Sequence, residues 1–418
     1  MQPVSKPFLL IASKKLEIFN DPIYGFITIP SSLVFELISH PYFQRMRRIS
    51  QMGLSYLVYP GAHHTRFHHA LGAMHLMQQA VQILVLKGVE ITNEEEEGLL
   101  VAILLHDIGH GPFSHAMEHS IVENVHHEDI SLLFMEDLDT KFDGRLRTAI
   151  AIFKKEHPKT FLNQLVSSQL DMDRMDYLKR DSFYTGVSEG NINSERLITM
   201  LNVVDWELVV EEKGIYSVEK FLMARRFMYW QVYLHKTGLV AEQLLIRTLK
   251  RAKELLATGK VLACSANLMF FLKNKIKQKD FDAAVLNRFA FLDDTDLLAA
   301  LKQWRAHSDF VLSTLCSMIL DRKLLNIKIK NKPIAKEKIK EQLESLKNQQ
   351  NLNDAEARYF VFSGTIALKA YDADQENINI LKSNGKLIDV AQASDHLSLK
   401  ALSKTVTKYY MCYPKNFI

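Results

Sequence analysis

His106 and Asp107 stand side by side directly after seven consecutive apolar residues, Leu99–Leu105. A stretch that belongs in a core therefore delivers an imidazole and a carboxylate to one place. Adjacent helical residues point about 100° apart, so both reach one ion only where the helix end is distorted. Gly109 and Gly111 permit that distortion. Imidazole and carboxylate together suit a borderline divalent cation such as Zn, Fe, Mn, Ni or Co. Further donors are plentiful. Of 16 histidines, 11 fall between His63 and His127, where an even spread would put about two or three. Three segments stand out beside the pair: Thr65–His69, His126–Asp129, and the acidic run from Asp171 to Asp181. His69 and one aspartate of that run can complete a donor set from other helices. Ordinary alternatives exist for single residues. The aspartates at 171, 173, 176 and 181 could decorate a helix and pair with Arg174 and Arg180. His75 and His119 read as surface or core histidines, and Arg45, Arg47 and Arg48 as a solvated face. The joint occurrence of all four segments, in order, favours the metal reading.

The elements that must position these residues read as mostly helical. Phe26–Ile29 resembles a strand before Pro30, and a helix starts near Ser31 or Ser32 with Leu33, Leu37 and Ile38 at helical spacing. Residues 43–52 read as a basic amphipathic helix closed by Gly53. Long helices are expected over 66–87 and 95–107, the second capped at Thr92 and followed by acidic first-turn residues. Residues 127–139, 145–155, 159–170 and 173–182 continue the helical pattern. Residues 207–218 read as a hairpin about Lys213-Gly214, and 221–256 as one long helix. Helices run on to about residue 325. Lys323–Lys347 is basic and helix-prone, and 359–370 and 378–390 look β-rich. The expectation is a mainly α protein: a helical core over 1–325 with a small hairpin, then a small C-terminal α/β unit over 326–418.

Composition supports an ordinary folded chain. Of 418 residues, 47 % are hydrophobic and 24 % charged, which excludes disorder as the main state. No apolar run reaches the roughly 18 residues a membrane span needs, and the first residues are too weakly apolar for a signal peptide. With 52 basic and 48 acidic residues the net charge is +4, so any basic site must be local. The Lys-rich 323–347 segment holds no aromatic residue and reads as a solvated helix, which argues against a nucleic-acid partner. Three distant cysteines and no CxxC pair fit a reducing cytoplasm.

Longer strings carry a family resemblance. They are Asp21-Pro22-Ile23-Tyr24-Gly25, Phe43-Gln44-Arg45-Met46-Arg47, Tyr59-Pro60-Gly61-Ala62, Arg66-Phe67-His68-His69, HDIGHGPFSH (106–115), DMDRMDYLKRD (171–181) and Tyr233-Leu234-His235-Lys236. Together they resemble the HD-domain metal-dependent phosphohydrolases, in particular the deoxynucleoside triphosphate (dNTP) triphosphohydrolase branch. The match is strong over about residues 17–250. It implies a helical HD core and hydrolysis of a dNTP to deoxynucleoside and inorganic triphosphate. It implies one divalent metal ion (Mn, Fe, Zn, Ni, Co or Mg) held by His69, His106, Asp107 and Asp173, with Asp171 the competitor for the fourth place.

The same resemblance assigns His110, His115, Glu118 and His127 to the scissile phosphate. His127 would be the acid for the leaving 5′ oxygen, and His110 with Glu118 a dyad for the attacking water. The family usually has Asp where Glu118 stands. Arg66, Arg174 and Arg225 would contact the phosphates or base region. Gln51 and Asp181, with Tyr177 beside them, would bind the sugar 3′-hydroxyl, and Tyr233 would fill the space of a ribose 2′-hydroxyl. Gln44 and Arg47 match residues that read a regulatory nucleotide at a subunit interface of a dimer or tetramer. Ser39 replaces the carboxylate that would accept two guanine protons, which leaves a different nucleotide or none as effector. Two alternatives keep part of the site: an HD-type nucleotide phosphatase or phosphodiesterase, and a nucleotide-sensing or nucleic-acid-binding protein with little catalysis.

Overall fold

The computed structural model describes residues 17–113, 121, 122, 125–369, 371, 377–394 and 404–415. The fold is mainly helical, as expected. Strands β1 (Ile18–Asp21) and β2 (Gly25–Thr28) pair antiparallel. A helix over Ser32–Ser39 follows, its first turn capped by Ser31, whose hydroxyl accepts from the Val34 amide at 3.3 Å. Three helices then build the centre. Arg66–Leu86 packs against both Asn93–Leu105 and Met172–Thr185. A reciprocal cap starts the second: Thr92 Oγ1 accepts from the Glu95 amide, and Glu95 accepts from the Thr92 amide. That helix stops at Leu105, so His106 and Asp107 stand in the turn after it. Asp171 caps the third, and Gly186 ends it in the left-handed conformation (φ 72°) that glycine adopts without strain. Gly72 lets the first and third helices approach: a Cβ there would lie 2.1 Å from side-chain atoms of Asp176 and Arg180.

Several elements depart from the sequence expectation. Residues 43–52 are not one helix. A short helix (Pro41–Gln44) passes into a 3-10 turn (Arg45–Arg48) and then extended chain, because Arg45 is pulled inward. The hairpin is β3 (Leu201–Val204) with β4 (Glu207–Glu211), and it turns at Asp205-Trp206, both at positive φ. Lys213-Gly214 belongs to a 3-10 turn that leads into the Ile215–Met228 helix. The 221–256 helix is interrupted: a π-turn at Tyr229–Tyr233 separates Ile215–Met228 from Lys236–Ala257. His235 caps the latter by accepting from the Thr237 amide.

The Lys-rich segment splits into strand β5 (Asn326–Lys330) and a Lys336–Gln350 helix. Strands β6 (Phe362–Leu368), β7 (Asn379–Leu381), β8 (Leu387–Asp389) and β9 (Val406–Tyr413) follow. One sheet has the order β5-β9-β6; another runs β3-β4-β7-β8, with β4 and β7 parallel. Hydrogen bonds therefore join the late strands to the hairpin at 201–211. No described helix is long and apolar enough to cross a membrane.

Candidate active site

His69 projects from the first turn of the Arg66–Leu86 helix and is fully buried. Its Nδ1 lies 2.8 Å from Asp176 Oδ2, which turns Nε2 toward the centre. His106 is oriented in the same way: its Nδ1 lies 2.6 Å from the Ile103 carbonyl. The two Nε2 atoms are 3.4 Å apart. Asp173 Oδ1 lies 3.1 Å from His69 Nε2 and 3.4 Å from His106 Nε2. Asp107 approaches the same point, 3.4 Å from His106 Nε2 and 3.7 Å from His69 Nε2. Donor atoms about 2.1 Å from one ion stand roughly 3.0–3.4 Å apart, so His69, His106 and Asp173 fit a divalent cation, and Asp107 stands beside them as the fourth member of the cage, slightly farther out. Electrostatics agree. Burial opposes charging His69, yet its bonds to Asp173 and Asp176 raise it to about 10. The cage is a place that calls for positive charge. Asp107, despite its own burial, is held well below the usual carboxylate range by His106 and Arg66.

Asp171 does not join the cage. One oxygen accepts from the Arg174 amide at 2.7 Å; the other accepts from the Ser168 amide at 2.7 Å and the Arg174 guanidinium at 2.8 Å. The helix cap occupies this carboxylate, and the residue two positions later points to the histidines.

Support extends outward. Asp176 also accepts two bonds from Arg180, which reaches Asp21 at 2.8 Å. The carboxylate behind His69 thereby fixes its ring, as the neighbours of metal-binding histidines commonly do. Gly109 presses the His-Asp turn against the His127–Lys141 helix: a Cβ there would lie 2.2 Å from the His127 carbonyl. Ser131 donates to the His106 carbonyl at 2.7 Å and accepts from the Gly109 amide at 2.9 Å.

A cavity of about 410 Å³ opens beside the cage. At the cage end it is lined by Arg66, Asp107, His110, His127, Asp173 and Arg174. Arg66 pairs with Asp107. His110 lies 3.3 Å from Asp107, and its ring stacks on His127 with centroids 3.8 Å apart. Burial, then the Arg66 cation, push His110 well below its ordinary value, so it is neutral near pH 7. Farther along, Gln51, Tyr177, Asp181, Tyr229 and Tyr233 line the wall. Asp181 is held from both sides, by His64 Nε2 at 2.7 Å and by the Tyr233 hydroxyl at 2.7 Å. Gln51 Oε1, an acceptor, and Arg174 Nε, a donor, are buried with no hydrogen-bond partner among the described residues.

Not every expected residue meets here. Arg225 is absent from the cavity lining and donates to Gln169 at 3.0 Å. Gln44 and Arg47 bond to each other at 2.9 Å away from the cavity, with Arg47 over the Phe67 ring at 3.5 Å. His115, Glu118 and His119 lie outside the described residues. Arg45 corrects the solvated-face reading, because it is 1 % exposed. Sequence reasoning gave no role to His64, Tyr229 or Glu242, all of which the fold brings to the site or behind it. Their only signal was proximity to quoted strings.

The HD domain family matches residues 66–181, and the HD associated region matches 192–269. The uncharacterized protein YwfO of Bacillus subtilis is 32 % identical over 416 residues, covering 96 % of this chain and 93 % of YwfO. A crystal structure of a phosphohydrolase from Bacteroides thetaiotaomicron is 51 % identical with a TM-score of 0.93, over 96 % of this chain and 100 % of that one. This chain belongs to the HD-domain phosphohydrolases. The branch expected from sequence is represented too. The deoxynucleoside triphosphate triphosphohydrolase SAMHD1 homolog of Dictyostelium discoideum is 32 % identical over 244 residues, 54 % of this chain and 47 % of that protein. In this HD phosphohydrolase the matched family segments contain the cage, His110, His127 and most of the tyrosine wall.

Proposed function

We propose that the protein hydrolyses dNTPs to deoxynucleoside and inorganic triphosphate. One observation carries the reading: a single cavity joins the cation cage, with Arg66 and Arg174 beside it, to a polar and aromatic wall that includes Gln51, Asp181 and three tyrosines. A triphosphate requires the cationic end and a sugar the polar one. His69, His106, Asp107 and Asp173 would hold the metal, which when bound lowers the pKa of a water and neutralises phosphate charge. Arg66 and Arg174 grip the phosphates, and the unpaired Arg174 Nε supplies a ready donor. Neutral His110 is suited to accept the proton of the attacking water. His127, stacked beside it, donates to the 5′ oxygen as the P–O5′ bond breaks. Gln51 Oε1 accepts from the sugar 3′-hydroxyl, and Asp181 is oriented for the same group by His64 and Tyr233. Tyr233, packed between Tyr177 and Tyr229, occupies the space of a 2′-hydroxyl and so favours deoxyribose. Arg225, His115 and Glu118 complete the proposed set. Gln44 and Arg47 are the proposed effector contacts, in a cytoplasmic homo-oligomer.

The test is hydrolysis of each dNTP and NTP, singly and mixed, with Mn²⁺, product analysis and an Asp107→Ala control. Triphosphate and deoxynucleoside, both lost in the variant, would support the proposal. Orthophosphate from nucleoside monophosphates, with dNTPs untouched, would replace it with a phosphatase.

A further inference from the structure

Two of the segments that line the cavity are tied together from behind by a turn that neither matched family segment includes. The turn comprises Leu292, Asp293 and Asp294 and opens the Asp294–Trp304 helix. Asp294 is 7 % exposed. Its Oδ2 accepts from the Ser50 amide at 2.8 Å and its Oδ1 from the Phe113 amide at 2.9 Å. These amides come from two separate segments that each contribute to the cavity lining. Ser50 precedes Gln51, and Phe113 ends the described part of the loop that carries His110. Arg45 works from the same side. Its guanidinium donates to the carbonyls of Ile108 at 2.8 Å, His110 at 2.9 Å and Leu292 at 3.2 Å. It lies between the rings of Phe134 and Phe289.

Phe113 adds an independent sign. Its φ is +48°, a conformation that a bulky side chain adopts only when its surroundings impose it. The bond from its amide to Asp294 is such an imposition.

We infer that Asp294 and Arg45 form a clamp that sets the distance between Gln51 and His110, and so the fit of the nucleotide between sugar wall and phosphate end. Both are positioning residues. Neither is among the four cage residues. The clamp rests on the proposed nucleotide reading for its catalytic consequence but not for its geometry.

The test compares Asp294→Asn with wild type and with Leu301→Ala, which loosens the same helix from a buried apolar position. An amide offers one acceptor oxygen where the carboxylate offers two, so one segment is released. The expected result is unchanged metal content and a loss in kcat/KM of about 10- to 100-fold, with hydrogen exchange at Ser50 or Phe113 at least about tenfold faster. Leu301→Ala lowers the unfolding midpoint and leaves kcat/KM within about twofold. Unchanged kcat/KM in Asp294→Asn overturns the clamp. So does a loss matched by Leu301→Ala at equal destabilisation, or a parallel loss of metal. Should wild type turn over no nucleotide, the function proposal fails alone. Exchange at Ser50 and Phe113 then decides the clamp, and unchanged rates overturn it.

Discussion

Replacing Asp176 with asparagine probes how far the cage depends on what stands behind it. Asp176 is fully buried, 2.8 Å from His69 Nδ1 and 2.9 Å from Arg180 Nε. Burial raises its pKa, but Arg180 and then His69 outweigh burial and bring it down to about 2 from 3.8. At about 1.36 kcal/mol per unit, the ionised form contributes about 2–3 kcal/mol to folding. Because the folded pKa is depressed, that contribution is complete above pH 3.8 and is lost as pH falls toward 2. Asp176→Asn keeps the shape and removes the charge. The expected loss at pH 7 is therefore about 2–3 kcal/mol by denaturant unfolding of the metal-free protein, shrinking in acid. Metal affinity should fall about 10- to 100-fold, since the residue fixes the His69 ring and strengthens its basicity. Competition with a chelator of known affinity reads this directly. An unchanged metal dissociation constant would refute the claim that Asp176 acts through His69. A stability loss independent of pH would refute the electrostatic account.

Other substitutions separate roles that look alike in sequence. Asp171→Ala removes a helix cap and should cost about 1–2 kcal/mol with metal retained, whereas Asp173→Ala should abolish metal binding; elemental analysis of both variants checks this, and the reverse order would overturn the assignment. Gly109→Ala forces a Cβ to 2.2 Å from the His127 carbonyl and 2.3 Å from the Ser131 amide nitrogen, so turnover should fall about 100-fold as the loop shifts. Steady-state rates at saturating metal test it. His40 accepts from the Tyr42 amide through Nδ1, and burial, then Lys141, lower its pKa from 6.5. The unfolded chain therefore binds more protons below pH 6.5, and stability is lost as pH falls. His40→Asn keeps a cap acceptor without titrating, so thermal midpoints between about pH 7.5 and 5.5 should vary less with pH than in wild type.

What was legible in the sequence is what local chemistry decides. Caps at Ser31 and Thr92 involve partners three residues away. The Leu99–Leu105 run predicts a buried helix because burial follows from composition. The Asp205-Trp206 turn was missed because these residues are not the usual Asn-Gly pair that adopts positive φ at both positions. Only the tertiary structure decided the rest, since it depends on contacts between residues far apart in the chain. Spacing alone could not choose between Asp171 and Asp173; the choice follows from which carboxylate the helix start has already used. Arg45 sits among exposed arginines in sequence, yet backbone carbonyls 63 to 247 residues away draw it into the core. The pairing of β4 with β7 joins residues about 170 apart, which no local pattern announces. Residue types established the chemistry available to this chain. The packing of helices from residues 66, 93 and 172 onward determined which atoms meet, because it brings His69, His106 and Asp173, far apart in the chain, within reach of one ion.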